Sequence, residues 1–458
     1  MRRSVPLFFI LLLLLAFPAF AGLPWTGVPG RPVYDVVRTE TQLCNQFRCN
    51  GLRTGQVAFS GPSSGSEDIC TMVEKAAVGP FFSYEGGNYF QVVSSRGELW
   101  QFSHRLVLRN RFPNARFPFG HGLVLREGQY FLLNNQEASL RQPSGTVLWR
   151  NVYGKPSLWH PPLLVSDKLI LMHGNIKGSN IPSGHSRFTV RSVLRAMAPS
   201  SGKTLVDIPL QGVYTQRRYP PLTVVHTQTV VVPDGAGFLH AYAVADLAAG
   251  KARELWKVQI GTSEPLALLG DPATARVIVA YPPGVRSFAN IVALDLKTGR
   301  KLWSVTNGEI ATSLALYRNY VVFGTINGGL VALDVNTGAG LISMKLPTNM
   351  TADNSIRVMA ISEPVVDTLG RVYMTLGEVP RPLAQAFADK PGTTVGRLDD
   401  SINAEVVGIQ LTSKRTIYTS SLFQIDHAGS SQLLVGMEAV GLFTSAQRLE
   451  FCAPETGE

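Results

Sequence analysis

Short runs of alternating apolar and polar residues fill most of this chain, and Asn, Asp and Gly cut them apart. The pattern is fullest over residues 312–346. Residues 312–317 alternate, Arg318 and Asn319 turn, and 320–325 form a more continuous apolar run. Asn327, Gly328 and Gly329 turn again, and 330–334 and 340–346 follow as third and fourth runs. Period-two patterning between Asn/Gly turns predicts antiparallel hairpins. Four such runs in about 40–45 residues make one four-stranded sheet of a repeat protein.

The unit recurs. Residues 293–303 read Ala-Leu-Asp-Leu-Lys-Thr-Gly-Arg-Lys-Leu-Trp, and 332–342 read Ala-Leu-Asp-Val-Asn-Thr-Gly-Ala-Gly-Leu-Ile. The Asp carboxylate can accept backbone N–H bonds of the turn, and Gly supplies the φ > 0 of the reversal. Looser copies lie at 99–102, 138–149, 195–206, 241–256, 407–418 and 449–458, which makes eight. The expected fold is all-β: an eight-bladed β-propeller of four-stranded antiparallel blades. Steps longer than one blade place insertions near 174–188 and 377–402. The second insertion holds Pro380, Pro382, Pro391 and Gly392 and reads as an irregular excursion. Long loops on a rigid scaffold often carry binding. The last copy stops just past its turn, so its blade lacks a fourth strand. The segment 32–39 is expected to supply it, closing the ring by pairing the N-terminal strand with the C-terminal blade and removing exposed sheet edges.

The N-terminus changes the setting. Arg2 and Arg3 precede an apolar run over 5–17, and Ala19-Phe20-Ala21 fits a leader cleavage site. Residues 1–21 therefore read as a signal peptide, and 22–458 as the propeller, exported to the periplasm or outside the cell. Gly22 follows the site where a lipoprotein would have Cys. No later apolar stretch reaches transmembrane length, so an integral membrane protein is not expected. The four cysteines, Cys44, Cys49, Cys70 and Cys452, then read as two disulfides. The favoured pairing is Cys44–Cys49 with Cys70–Cys452, the latter stapling the ring's seam. Pairing of Cys44 or Cys49 with Cys452 stays open. The net charge is +10, falling by two when Arg2 and Arg3 leave. Its cations form no stripe with interleaved aromatics, which argues against nucleic acid and allows attraction to an acidic envelope surface.

The repeat resembles that of the pyrroloquinoline quinone (PQQ) enzymes, close to A-x-D-x-x-T-G-x-x-x-W, with its best matches at 293–303 and 332–342. The resemblance implies a propeller of one of two kinds. PQQ-dependent quinoprotein dehydrogenases typically carry an adjacent Cys-Cys disulfide, a catalytic Asp and an acidic calcium site. This chain has no adjacent Cys pair and no Asp pattern onto which those residues carry over. The cofactor-free BamB-like group fits length and compartment better, although its members are usually lipoproteins. The expectation is therefore a non-catalytic exported module that binds a protein or a cell-envelope component. It has no cofactor, no metal site and no catalytic residues; the quinoprotein dehydrogenase is the alternative.

Other motifs carry less. Trp149, Trp256 and Trp303 share one place in the repeat, as blade-to-blade packing requires. Trp100 and Trp159 lie off that place and are binding candidates. Residues 199–204, Pro-Ser-Ser-Gly-Lys-Thr, resemble the end of a P-loop but sit at a repeat turn with no helix to receive phosphate. Residues 61–65 match G-x-S-x-G without the strand and helix of a nucleophile elbow. The eight histidines have no ligand spacing. Asp399, Asp400 and Asn403 read as a polar loop tip, and Asn349-Met350-Thr351 is a glycosylation sequon.

Overall fold

The structure, a computed structural model, describes residues 121–177, 190–214, 224–281, 289–384 and 402–419 apart from a few positions, together with the strand backbone between 68 and 112 and between 423 and 454. Residues 1–39, Cys44 and Cys49 lie outside the described residues. Within them the protein is all-β, with a short helix at Val244–Ala248 and helical residues at Arg381, Pro382 and Ala384. No described helix is long and apolar enough to cross a membrane.

Eight antiparallel sheets are present among the described residues, numbered here by the chain order of their second strands, so that sheet 1 holds Tyr89–Val93, sheet 2 Tyr130–Leu133 and sheet 8 Val440–Phe443. Sheet 5 shows the plan: Ala267–Asp271, Arg276–Tyr281, Ala289–Asp295 and Lys301–Asn307 run up and down in sequence order. Sheet 6 repeats it with Ala315–Tyr317, Tyr320–Gly324, Gly329–Asp334 and Gly340–Lys345, close to the pattern read from the sequence. Sheet 4 is Val224–His226, Thr229–Pro233, Phe238–Ala243 and Glu254–Gln259. The helix lies in its third-to-fourth connection.

Second and third strands are buried on both faces, because a neighbouring sheet covers each side. This is why they read as continuous apolar runs. One core layer lies between sheets 5 and 6, where Ile278, Ala280 and Ile291 meet Leu316, Phe323 and Leu333. A second lies between sheets 6 and 7, with Val322 and Ala332 against Met374 and Val407. Burying a side chain such as Phe323 contributes about 1.5–3 kcal/mol. First strands of consecutive sheets lie side by side from sheet 4 through sheet 8. Fourth strands alternate between buried and exposed, as an outer strand with one free face must.

One regularity was not legible beforehand. The register between third and fourth strands slips by one residue at the same place in sheet after sheet, at Ala241/Tyr242, Ala293/Leu294 and Ala332/Leu333. Such a bulge raises local twist and re-aims the following side chains.

Two expectations are corrected. The last C-terminal strand, Arg448–Pro454, pairs along its whole length with Asp68–Glu74, which takes the place expected for residues 32–39. Asp68–Glu74 offers a seven-residue ladder in which Ile69, Thr71 and Val73 share one face. The second insertion also begins as strand rather than as an irregular excursion, while residues 178–189 and 385–401 lie outside the described residues. Sheet 3 extends its second strand to Leu169–Lys177 and sheet 7 to Arg371–Pro380, and each is met by a first strand split in two.

Candidate functional site

Consecutive sheets are joined by a tryptophan of one and a turn glycine of the next. Trp256, at the start of the fourth strand of sheet 4, donates its indole N–H to the Leu296 carbonyl at 2.8 Å and covers Gly299 of sheet 5. Trp303 donates to Val335 at 2.9 Å and covers Gly338 of sheet 6. Trp149 donates to Pro199 and covers Gly202 of sheet 3. Each of these glycines has a positive φ, and a Cβ would lie within 3 Å of the indole. The three tryptophans are scaffold, and the stretch 199–204 is one of the turns they seal.

The described turn aspartates are also occupied locally. Asp295 accepts from the N–H and hydroxyl of Thr298 at 2.8 and 2.6 Å. Asp334 accepts from Asn336 and Thr337, Asp234 from Ala236 and Phe238, and Asp367 from Leu369 and Arg371. The Thr298 hydroxyl and the turn amides hold Asp295 below the usual carboxylate range, against a smaller effect of burial. These carboxylates build turns.

Polar chemistry concentrates at two buried places. In sheet 4, His240 lies between two carboxylates, 3.0 Å from Asp234 Oδ2 and 2.6 Å from Glu254 Oε1. Tyr214, packed edge-on against His160 and His173, donates its hydroxyl to the Pro233 carbonyl, and burial first, then nearby carboxylates, hold its phenol protonated. In sheet 7, Glu378 and Glu405 grip the connection from sheet 6. Glu405 accepts from the Asn349 N–H and Glu378 from the Thr351 N–H and the Asn403 amide. Burial raises Glu405 above the usual carboxylate range, opposed by bonds from Thr348 and Asn349. Asn403 thus serves a buried network rather than a loop tip. Neither place was read from the sequence, because each joins residues from separate strands and connections that no short motif spans.

Trp159 is a core residue, 4% exposed, so it offers no binding surface. Arg195 stacks over its ring and that of Tyr153 while pairing with Asp207. The side chain of Trp100 lies outside the described residues. His160 and His173 stack on each other, buried. Among the described residues no group of three or more His, Cys, Asp or Glu is placed to hold a metal ion. Among the described residues no acidic set fits the calcium site implied by one branch of the repeat family, and the turn carboxylates Asp295 and Asp334 are hydrogen-bonded to their own turns.

A family model described as outer membrane protein assembly factor BamB matches residues 134–309 and 190–379. The crystal structure of BamB from Moraxella catarrhalis superposes with a TM-score of 0.52 at 14% identity, over 84% of this chain and 99% of that one. A computationally designed protein, Ika8, also gives 0.52, at 12% identity over 86% of this chain and 100% of its own. A quinone-dependent alcohol dehydrogenase subunit from Gluconobacter oxydans (strain 621H) is 26% identical over 137 residues, 27% of this chain and 15% of that protein.

Proposed function

The chain belongs to the PQQ-like repeat family described as outer membrane protein assembly factor BamB, and we propose that it is a non-catalytic, exported propeller that holds a protein or another envelope component. In this reading residues 1–21 are a leader and 22–458 form one domain of eight blades. The pairing of Asp68–Glu74 with Arg448–Pro454 supports closure of that ring by the two ends of the chain. In the ladder Cys70 lies directly opposite Cys452, which supports the proposed disulfide between them.

The observation that carries the reading is the employment of the turn carboxylates. Asp295 and Asp334 each hold their own turn, and Trp149, Trp256 and Trp303 each seal the next sheet, so these repeat positions serve the scaffold. The partner is expected in the cell envelope. Crosslinking in the native envelope followed by affinity capture should return one protein in stoichiometric yield; a tagged chain that captures nothing above background would count against the module.

The quinoprotein alternative has the Gluconobacter similarity in its favour. Titration with PQQ and calcium separates the two. Tight binding accompanied by dye-linked oxidation of an alcohol or sugar would replace the scaffold reading.

A further inference from the structure

Among the described residues, one end of the sheets gathers exposed cations. In an antiparallel meander the first-to-second and third-to-fourth turns share one end. That end points the same way in successive sheets. Trp149, Trp256 and Trp303 each begin a fourth strand, beside their own turn, and touch the matching turn of the next sheet. Gly250 of sheet 4 approaches Leu205 at the start of the fourth strand of sheet 3, and Gly370 of sheet 7 meets Tyr317 of sheet 6. Sheets 2 to 7 are therefore aligned.

This end is basic. Sheets 4 and 5 expose Lys251, Arg253, Lys297, Arg300 and Lys301 there, and sheet 7 adds Lys414 and Arg415. The acids beside them offset part of this charge: Asp295 and Asp334 are hydrogen-bonded in their turns, Asp246 lies 3.5 Å from Arg253, and Glu254 bonds His240. At the opposite end, among the described residues, Lys345 is exposed and Arg381 folds back onto the Asp353 carbonyl with the Asp353 carboxylate beside it.

The same end is also apolar. Leu148, Leu255, Leu302 and Leu341 each begin a fourth strand and are 36–43% exposed, and Leu369 sits exposed in a turn of sheet 7. Single exposed leucines are unremarkable. Four at one repeat position, each within a few residues of the turn that carries the cations, form a rim. Basic side chains interspersed with exposed leucines, without stacking aromatics, match an interfacial lipid-binding surface better than a nucleic-acid one.

We propose that this end of the molecule docks on an anionic lipid bilayer. Lys297, Arg300, Lys301 and their neighbours meet headgroup phosphates, and the rim leucines enter the interfacial layer. The assignment stands apart from the scaffold reading, since it concerns lipid and leaves the other end and the insertions to a protein partner.

The test uses protein lacking residues 1–21, so that the apolar leader cannot insert, in flotation with phosphatidylcholine vesicles with and without phosphatidylglycerol. The protein should float only with anionic vesicles, and less as salt rises. The combined K297E, R300E and K301E changes should weaken binding at least about tenfold. Leu255→Ser with Leu302→Ser should weaken it further, and K345E with R381E should leave it unchanged. The cationic and leucine sites at the docking end are exposed, so their variants should melt like the parent, and a thermal scan confirms that the opposite-end pair, which loses the Arg381 bond to the Asp353 carbonyl, is still folded. Absence of flotation, or equal loss from the opposite-end pair, would overturn the proposal. Capture by soluble polyglutamate without flotation would assign the surface to an acidic protein instead. Competition by soluble glycerol phosphate at matched concentration would assign a free-phosphate site.

Discussion

Gly299 and Trp256 show how one residue pair joins two sheets. The glycine has φ +71°, and a Cβ would lie 2.8 Å from the indole. Gly299→Ala thus combines backbone strain with a clash against a ring that cannot retreat, and its destabilisation should exceed the roughly 1 kcal/mol of strain alone. Trp256→Ala is expected to cost about 3–5 kcal/mol by chemical denaturation. Trp303→Ala, at a partly exposed ring, should cost less, and a Trp256 variant that melts like the parent would remove it from the scaffold. Both residue types stood out in the repeat. Their contact did not, because each tryptophan seals the glycine of the following unit, about 40 residues on.

At the scale of the element, turns and strands respond to pH in opposite senses. Asp295 is held below the usual carboxylate range by its turn, so its contribution is present above the unfolded value and lost as pH falls through the lowered one. Asp295→Ala should lower the melting temperature at neutral pH, with the difference shrinking under acid. Glu405 is raised by burial, so its contribution is full below the unfolded value and fades as pH rises through the raised one. Glu405→Gln should flatten the melting temperature over that upper range; a parallel shift at every pH would mean that the carboxyl does not titrate there. Strands and turns were legible because period two and Asp-x-x-Thr-Gly are local. The bulge after the third strand and the strand-like start of the insertions were not, since both depend on pairing partners.

For the whole molecule, the repeat made the family and the stacked-sheet plan readable, while the segment completing the last sheet was misplaced. Residues 32–39 and Asp68–Glu74 are both plausible strands, and only a register with Arg448–Pro454 distinguishes them. Non-reducing peptide mapping should recover Cys70 joined to Cys452; a peptide linking Cys44 or Cys49 to Cys452 would refute that pairing. Closing so long a loop removes unfolded-state entropy worth about 6 kcal/mol in the chain model, and reduction should lower the melting temperature accordingly. The same ladder sets a timetable for biosynthesis. Asp68–Glu74 leaves the ribosome early, yet its neighbour is made only after roughly 20–80 s of further elongation. Throughout that interval the early strand has no edge to join, so a nascent chain arrested before Arg448 should be open to protease at Asp68–Glu74, and the finished chain resistant there.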